Sequence, residues 1–331
     1  MADMVTRVYT GFRGVDFRGE EINLVRSPDS LNVWKDYKET ESIRTRPGLE
    51  IHYPAGEPVY GIFFYKGEML VHQGNGLHRV RKSRDYSGDI LWSGLNEAPS
   101  NGFVFEDVFY FKDGKFYLQY DGTTIKEVEG YVPTTRIAGK PSGGGKDHQD
   151  FNMLTGRRKN SFLADGSSKV FYLDAQNIDD DFKPIVTFTD QEEISYTVDY
   201  KEGKITFADI PSAPLTDGQD NILVEFKKTI SKYRDSILKC TLLQVFDNRV
   251  FVSGNPDYPN VVWHCSLEDP SYFSDTDYYR EGMDSSAWKR MEPLSIWPEG
   301  PWIRRMTDME VTDLPQPDSP TTPTTEWRGT S

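Results

Sequence analysis

Cysteine is almost missing from this chain: Cys240 and Cys265 are the only two among 331 residues. The expectation is two small, buried, reduced thiols; a disulfide between them is the alternative, with nothing in the text pointing to an oxidising compartment. Long apolar runs are missing too. Runs such as Ile62-Phe63-Phe64-Tyr65 are the longest, far short of the roughly 18 residues a membrane helix needs, so no membrane span is expected. The opening text, Met-Ala-Asp-Met-Val-Thr-Arg, holds no continuous apolar stretch, so no signal peptide is expected. Positive charge is in deficit. Lys and Arg number 38 against 52 Asp and Glu, a formal net charge of −14. Wrapping nucleic acid by counterion release over the whole surface is disfavoured, which leaves only local basic patches for that role.

Signatures of chemistry are equally sparse. The five histidines, His52, His72, His78, His148 and His264, are isolated and follow no ligand spacing. Asp179-Asp180-Asp181 lacks the alternation, central Gly and terminal Glu of a calcium loop and reads as a solvated acidic turn. The glycine run ending at Lys146 has Lys140 and Asp147 where a phosphate loop needs Gly and Ser or Thr. No Gly-x-Ser-x-Gly elbow occurs. The expectation is no catalytic residue, no cofactor and no metal. Two basic clusters stand out against the acidic background. One is Arg79, Arg81, Lys82 and Arg84; the other is Arg157, Arg158 and Lys159. Both are candidate interaction patches for phosphates or an acidic partner.

What is present is β-sheet text. Hydrophobic residues make up 37% and aromatics 13%, too much for a disordered chain. Short runs of Val, Ile, Phe and Tyr alternate with polar residues and stop at Gly, Asp and Asn, so the fold class is all-β. The one helix candidate is the short stretch 231–238. A loose repeat runs through Val59 to Val80, Phe103 to Tyr120 and Leu242 to Trp263. Each copy reads strand, polar turn, strand, turn, strand. Aligning Val71 with Tyr110 gives a spacing of 39 residues, close to the roughly 40–45 of a four-stranded propeller blade. A plain sandwich of hairpins is the alternative. Three blades are fewer than the roughly four of a small propeller, so the open edge should pair with partner subunits or with further blades.

The expected organisation has six parts. Residues 1–55 form an arm packed along the outside, and 56–138 hold the first blades. Residues 139–150 are a Gly-rich flexible linker, and 151–231 an inserted β-sandwich-like domain. Residues 232–290 continue the propeller, and 291–331 are an irregular, Pro-rich tail that cannot build a fourth blade.

The first 50 residues carry three phrases: Gly11-Phe-Arg-Gly-Val-Asp-Phe17, Ser27-Pro-Asp-Ser-Leu-Asn-Val-Trp34 and Arg44-Thr-Arg-Pro-Gly-Leu-Glu50. A later segment reads Phe246-Asp-Asn-Arg-Val-Phe-Val-Ser-Gly-Asn-Pro256, then Val261-Val-Trp-His-Cys-Ser266 and Asp269-Pro-Ser-Tyr-Phe273. In this order they resemble bacteriophage tail nozzle and neck proteins, of the tail tubular B and packaged-DNA stabilisation types. The resemblance covers about 80 residues. It implies a virion structural protein assembled in the host cytoplasm, with propeller blades and an inserted sandwich-like domain. It further implies copies of the chain in a ring around the DNA exit path, beside adjacent tail or neck proteins. DNA would pass without tight binding, which suits an acidic wall. The family pattern stops near Gly282-Met-Asp284, so a truncated or out-of-frame end is expected. Two rival functions remain open: a carbohydrate-binding or glycan-processing β-protein, and a propeller-type interaction scaffold, though the Trp-Asp dipeptides of WD40 blades are missing.

Overall fold

A computed structural model of the chain describes residues 33–35, 43–45, 56–80, 88–280 and Met291. The chain divides into two compact units, Met1–Pro54 and Ala55–Ser331. In the first, β1 (Val33–Lys35) pairs antiparallel with β2 (Ile43–Thr45). The path of the arm and the form of the tail beyond Met291 lie outside the described residues.

Among its described residues the second unit is all-β apart from one short helix. A first four-stranded meander comprises β3 (Val59–Tyr65), β4 (Glu68–Gln73), β5 (Gly76–Val80) and β6 (Gly88–Ser93). A second comprises β7 (Asn101–Phe105), β8 (Val108–Lys112), β9 (Tyr117–Tyr120) and β10 (Ile125–Glu127). An inserted unit then carries β11 (Thr134–Gly139), β12 (Lys146–Asp147), β13 (Arg157–Phe162) and β14 (Val170–Tyr172). It continues with β15 (Ile185–Phe188), β16 (Tyr196–Asp199), β17 (Lys204–Phe207) and β18 (Ile222–Lys227). The helix α1 (Tyr233–Leu238) leads back to a third meander. Its strands are β19 (Leu242–Phe246), β20 (Arg249–Ser253), β21 (Val261–His264) and β22 (Tyr278–Arg280).

The three meanders are equivalent from their first turn onward. Lys66-Gly67, Glu106-Asp107 and Asp247-Asn248 are two-residue loops with both φ positive, from 44° to 80°. That conformation matches the right-handed twist of the flanking strands and favours Gly, Asn and Asp. Glu68, Val108 and Arg249 are therefore equivalent, and the first two are 40 residues apart. The 39-residue alignment of Val71 with Tyr110 is one position off; Val71 matches Phe111.

The register decides the packing. Phe63, Tyr65, Leu70 and Leu77 of the first meander meet Phe109, Phe111, Leu118 and Tyr120 of the second. The opposite face of the second, with Phe103, Tyr110 and Tyr117, meets Val250, Val252, Val261 and Trp263 of the third. Leu70, Tyr110 and Phe251 thus occupy one equivalent position, and the first two of them turn toward the meander that follows. Met291 covers Phe251 and Val262 on the last such face. The opening strands β3, β7 and β19 come together in succession. Gly102 of β7 permits this: a Cβ there would stand 2.8 Å from the Phe63 ring and 2.7 Å from Phe109. Among the described residues the three sheets form an open stack.

The inserted unit has two sheets. The five-stranded one runs β12-β11-β13-β18-β15 and the three-stranded one β14-β17-β16. Phe162, Phe171, Ile205, Phe207, Val224 and Phe226 fill the space between them. Its limits differ from expectation. The Gly-rich stretch 139–150 is no linker, because it closes the β11–β12 hairpin. Gly143, Gly144 and Gly145 take φ of +91°, +88° and +110° to make that loop. The unit thus begins at β11 rather than at 151. Asn152, Met153 and Leu154 also leave it, and Met153 and Leu154 join the core between the second and third meanders.

Candidate functional site

The basic clusters come first, because the sequence singles them out. In β13 the alternation turns Arg158, Asn160 and Phe162 inward and leaves Arg157 and Lys159 half-exposed. Arg158 is 5% exposed, pairs with Asp174 at 2.9 Å and lies 4.6 Å from the Phe151 ring and 5.2 Å from Phe226. Burial pulls its pKa below the usual guanidinium range, against the pull of Asp174. Asp174 also accepts from Thr135 Oγ1 at 2.8 Å and from Asn160 Nδ2 at 3.1 Å. Arg157 donates to Glu225 from Nε at 2.7 Å and lies 4.9 Å from the Phe182 ring. Arg158 is therefore no interaction patch, and Arg157 is neutralised across the sheet. Arg79 pairs with Asp89 at 3.0 Å and with Glu68 at 3.9 Å. Arg81, Lys82 and Arg84 lie outside the described residues.

The acidic turn 179–181 is also satisfied internally. Asp179 accepts from the Thr229 N–H at 2.9 Å, and Asp181 pairs with Lys227. Among the described residues no group of His, Cys, Asp and Glu is placed to hold a metal. Cys240 and Cys265 are buried and unpaired with each other, and burial pushes their thiols up to about 12 and about 11. Both therefore stay protonated near neutrality.

The dense polar chemistry gathers where the inserted unit rejoins the stack. Asn152 is 2% exposed. Its Nδ2 donates to the carbonyls of Tyr131 and Ser271, both at 2.8 Å. Its Oδ1 accepts from Leu154 N–H at 3.0 Å and Phe273 N–H at 3.1 Å. One side chain thus ties three segments that no local sequence pattern connects. Lys112, at the end of β8, reaches the C-terminal end of α1, where Nζ donates to the carbonyls of Leu238 and Cys240. It is 2% exposed, and burial pulls it down to about 8. Arg234 of α1 donates to Leu154 O at 2.6 Å and Glu127 Oε2 at 2.8 Å.

Beside α1 these ties leave a cavity of about 220 Å³. Met153, Val261 and Trp263 form its apolar wall, and Tyr233, Tyr258, Tyr278 and Asp275 complete it, with Ser231, Lys232, Ser236 and Arg280 also lining it. Tyr233 Oη donates to Asp275 Oδ2 at 2.9 Å. Burial raises the Asp275 carboxyl pKa, although the Tyr233 bond pulls the other way; burial and Asp275 push Tyr233 to about 12. Tyr258 and Trp263 meet edge to face, with centroids 5.9 Å apart and planes at 83°. None of these residues figures among the sequence candidates. Their signal was the density of Tyr and Trp in 258–279, but the set converges from four separate segments.

No family model matches this chain, and neither a curated protein nor a solved structure is similar to it.

Proposed function

We propose that the chain is a structural subunit of a bacteriophage tail or neck and that its meanders are blades of a propeller. The observation that carries this is the stack itself. Three equivalent four-stranded sheets stack in one sense, the following-side face of each on the opposite, preceding-side face of the next, with their opening strands side by side. That is the local geometry of neighbouring blades. The ordered phrases in 1–50 and 246–273 supply the link to tail and neck proteins. Copies of the chain would form a ring in the virion around the DNA path, next to other tail or neck proteins. A charge of −14 per copy would let DNA pass without gripping it.

The stack offers an assembly surface. On the first meander the register lines up Ile62, Val71, His78 and Ile90 on the face turned away from the second meander. Ile62, Phe64 and Ile90 there are 56%, 73% and 66% exposed. In the second and third meanders the equivalent face packs on the preceding sheet. Light scattering and negative-stain microscopy of the purified chain test the proposal. Rings or discrete oligomers are expected, and Phe64→Glu should dissolve them. A monomer at all concentrations, unchanged by Phe64→Glu, would refute ring assembly. Antibody against the chain should label the tail or neck of purified particles; label only in the soluble fraction would refute the virion role.

A further inference from the structure

The cavity beside α1 is built like a receptor for a charged small molecule, and this inference stands independently of the virion role. Its aromatic lining is a corner rather than a flat platform. The Tyr258 and Trp263 planes stand at 83°, while Tyr233 and Tyr278 also line it. A sugar ring stacks on one exposed aromatic face. An alkylated ammonium, by contrast, is held best by several rings set at angles, each offering its negative π-face. A half-buried carboxylate, Asp275, lines the same space, fixed by the Tyr233 hydroxyl at 2.9 Å. Among the described residues no Lys or Arg stands within ion-pair distance of it. The exposed Lys232 and Arg280 line the cavity as well. They supply positive charge for an anionic group attached to the ammonium. A volume of about 220 Å³ suits a molecule of this size.

We propose that this cavity binds a small alkylammonium zwitterion, with the ammonium among Tyr233, Tyr258, Trp263 and Tyr278 against Asp275, and the anionic group toward Lys232 and Arg280. Phosphocholine and glycine betaine have this chemistry. The same headgroup is also presented by a phosphatidylcholine surface.

Calorimetric and saturation-transfer NMR titrations of the full chain test it. The probes are phosphocholine, glycine betaine, choline and its uncharged isostere 3,3-dimethylbutan-1-ol. Saturable binding of phosphocholine or betaine is expected, with choline weaker and the isostere weaker still. Asp275→Asn and Tyr278→Ala should each weaken binding by about tenfold or more. Arg280→Ala should weaken phosphocholine but leave choline unchanged, a split that loss of folding cannot produce. Circular dichroism confirms that each variant is folded. Flotation with phosphatidylcholine vesicles separates the two sources: co-flotation assigns the headgroup, and its absence beside tight soluble binding assigns a free zwitterion. No saturable binding, equal affinity for the uncharged isostere, or preference for methyl glucosides would each overturn the proposal.

Discussion

Replacing Lys112 with Met should change how stability depends on pH, not only how large it is. Burial holds the folded-state pKa near 8, against 10.5 for an ordinary lysine. At 1.36 kcal/mol per unit, that gap places a penalty of about 3 kcal/mol on the charged, folded form. Below pH 8 the lysine is charged in both states and the penalty is full. Between pH 8 and 10.5 the unfolded chain holds the proton more tightly than the folded one, so stability rises with pH. Above 10.5 the penalty is gone. Lys112→Met removes the charge but strips a donor from the carbonyls of Leu238 and Cys240, at a cost of about 1–3 kcal/mol each if water does not replace it. That cost is indifferent to pH. Urea titrations of both proteins at pH 7.5, 8.5 and 9.5 isolate the effect, because every other titrating group is common to the two. The stability of wild type minus variant should grow by about 2 kcal/mol from pH 7.5 to 9.5. A difference that stays flat or shrinks over that range would refute the placement of a charged lysine against α1.

Asn152→Ala should cost about 3 kcal/mol by thermal or urea denaturation, since it strands two carbonyls and two N–H groups in the core; a loss under about 1 kcal/mol would contradict the clamp. Arg158→Met should cost about 3–5 kcal/mol by leaving Asp174 buried without its cation, and adding Asp174→Asn should recover part of that. If the double variant is no more stable than the single, the ion pair is not the reason. A fragment spanning 133–228 should give a well-dispersed proton NMR spectrum, whereas 151–231 should not, because it lacks β11 and leaves β13 unpaired on that side. Equal dispersion from both would show that β11 is dispensable.

Much of the strand text was legible. The runs at 204–207 and 222–226 alternate, turning Ile205 and Phe207, then Ile222, Val224 and Phe226, inward, and an Asp stands at the end of the runs 117–120 and 196–199. The mechanism is visible at Asp121 and Asp199, whose side chains accept the N–H groups two and three residues on. Strand β13 was not legible. Its inward positions are Arg158 and Asn160 as well as Phe162, so the apolar alternation is masked by a polar network that closes only when Asp174 and Thr135 arrive. The repeat was visible, but aligning Val71 with Tyr110 slips one residue. In a period-two structure that slip exchanges the two faces, and with them which sheet each residue touches. The Gly-rich stretch 139–150 has the composition of a linker, and a hairpin loop demanding positive φ at 143–145 has the same composition. The cavity was invisible for a different reason. Met153, Tyr233, Trp263 and Asp275 are made neighbours by the return of the chain through α1, and no local pattern encodes that return.

The excursion of Asn152, Met153 and Leu154 into the core of the stack has a mechanical consequence. A domain joined only at its two ends can swing or be pulled without disturbing its host. Here the chain leaves the inserted unit after β12, is fastened between the second and third meanders, and only then returns to begin β13. Any swing of the inserted unit as a lever must therefore strain this stitch or draw two apolar side chains out of the core they share with the meanders. A load applied to the inserted unit should reach the stack stiffly, and the stitch should be the point at which the linkage yields.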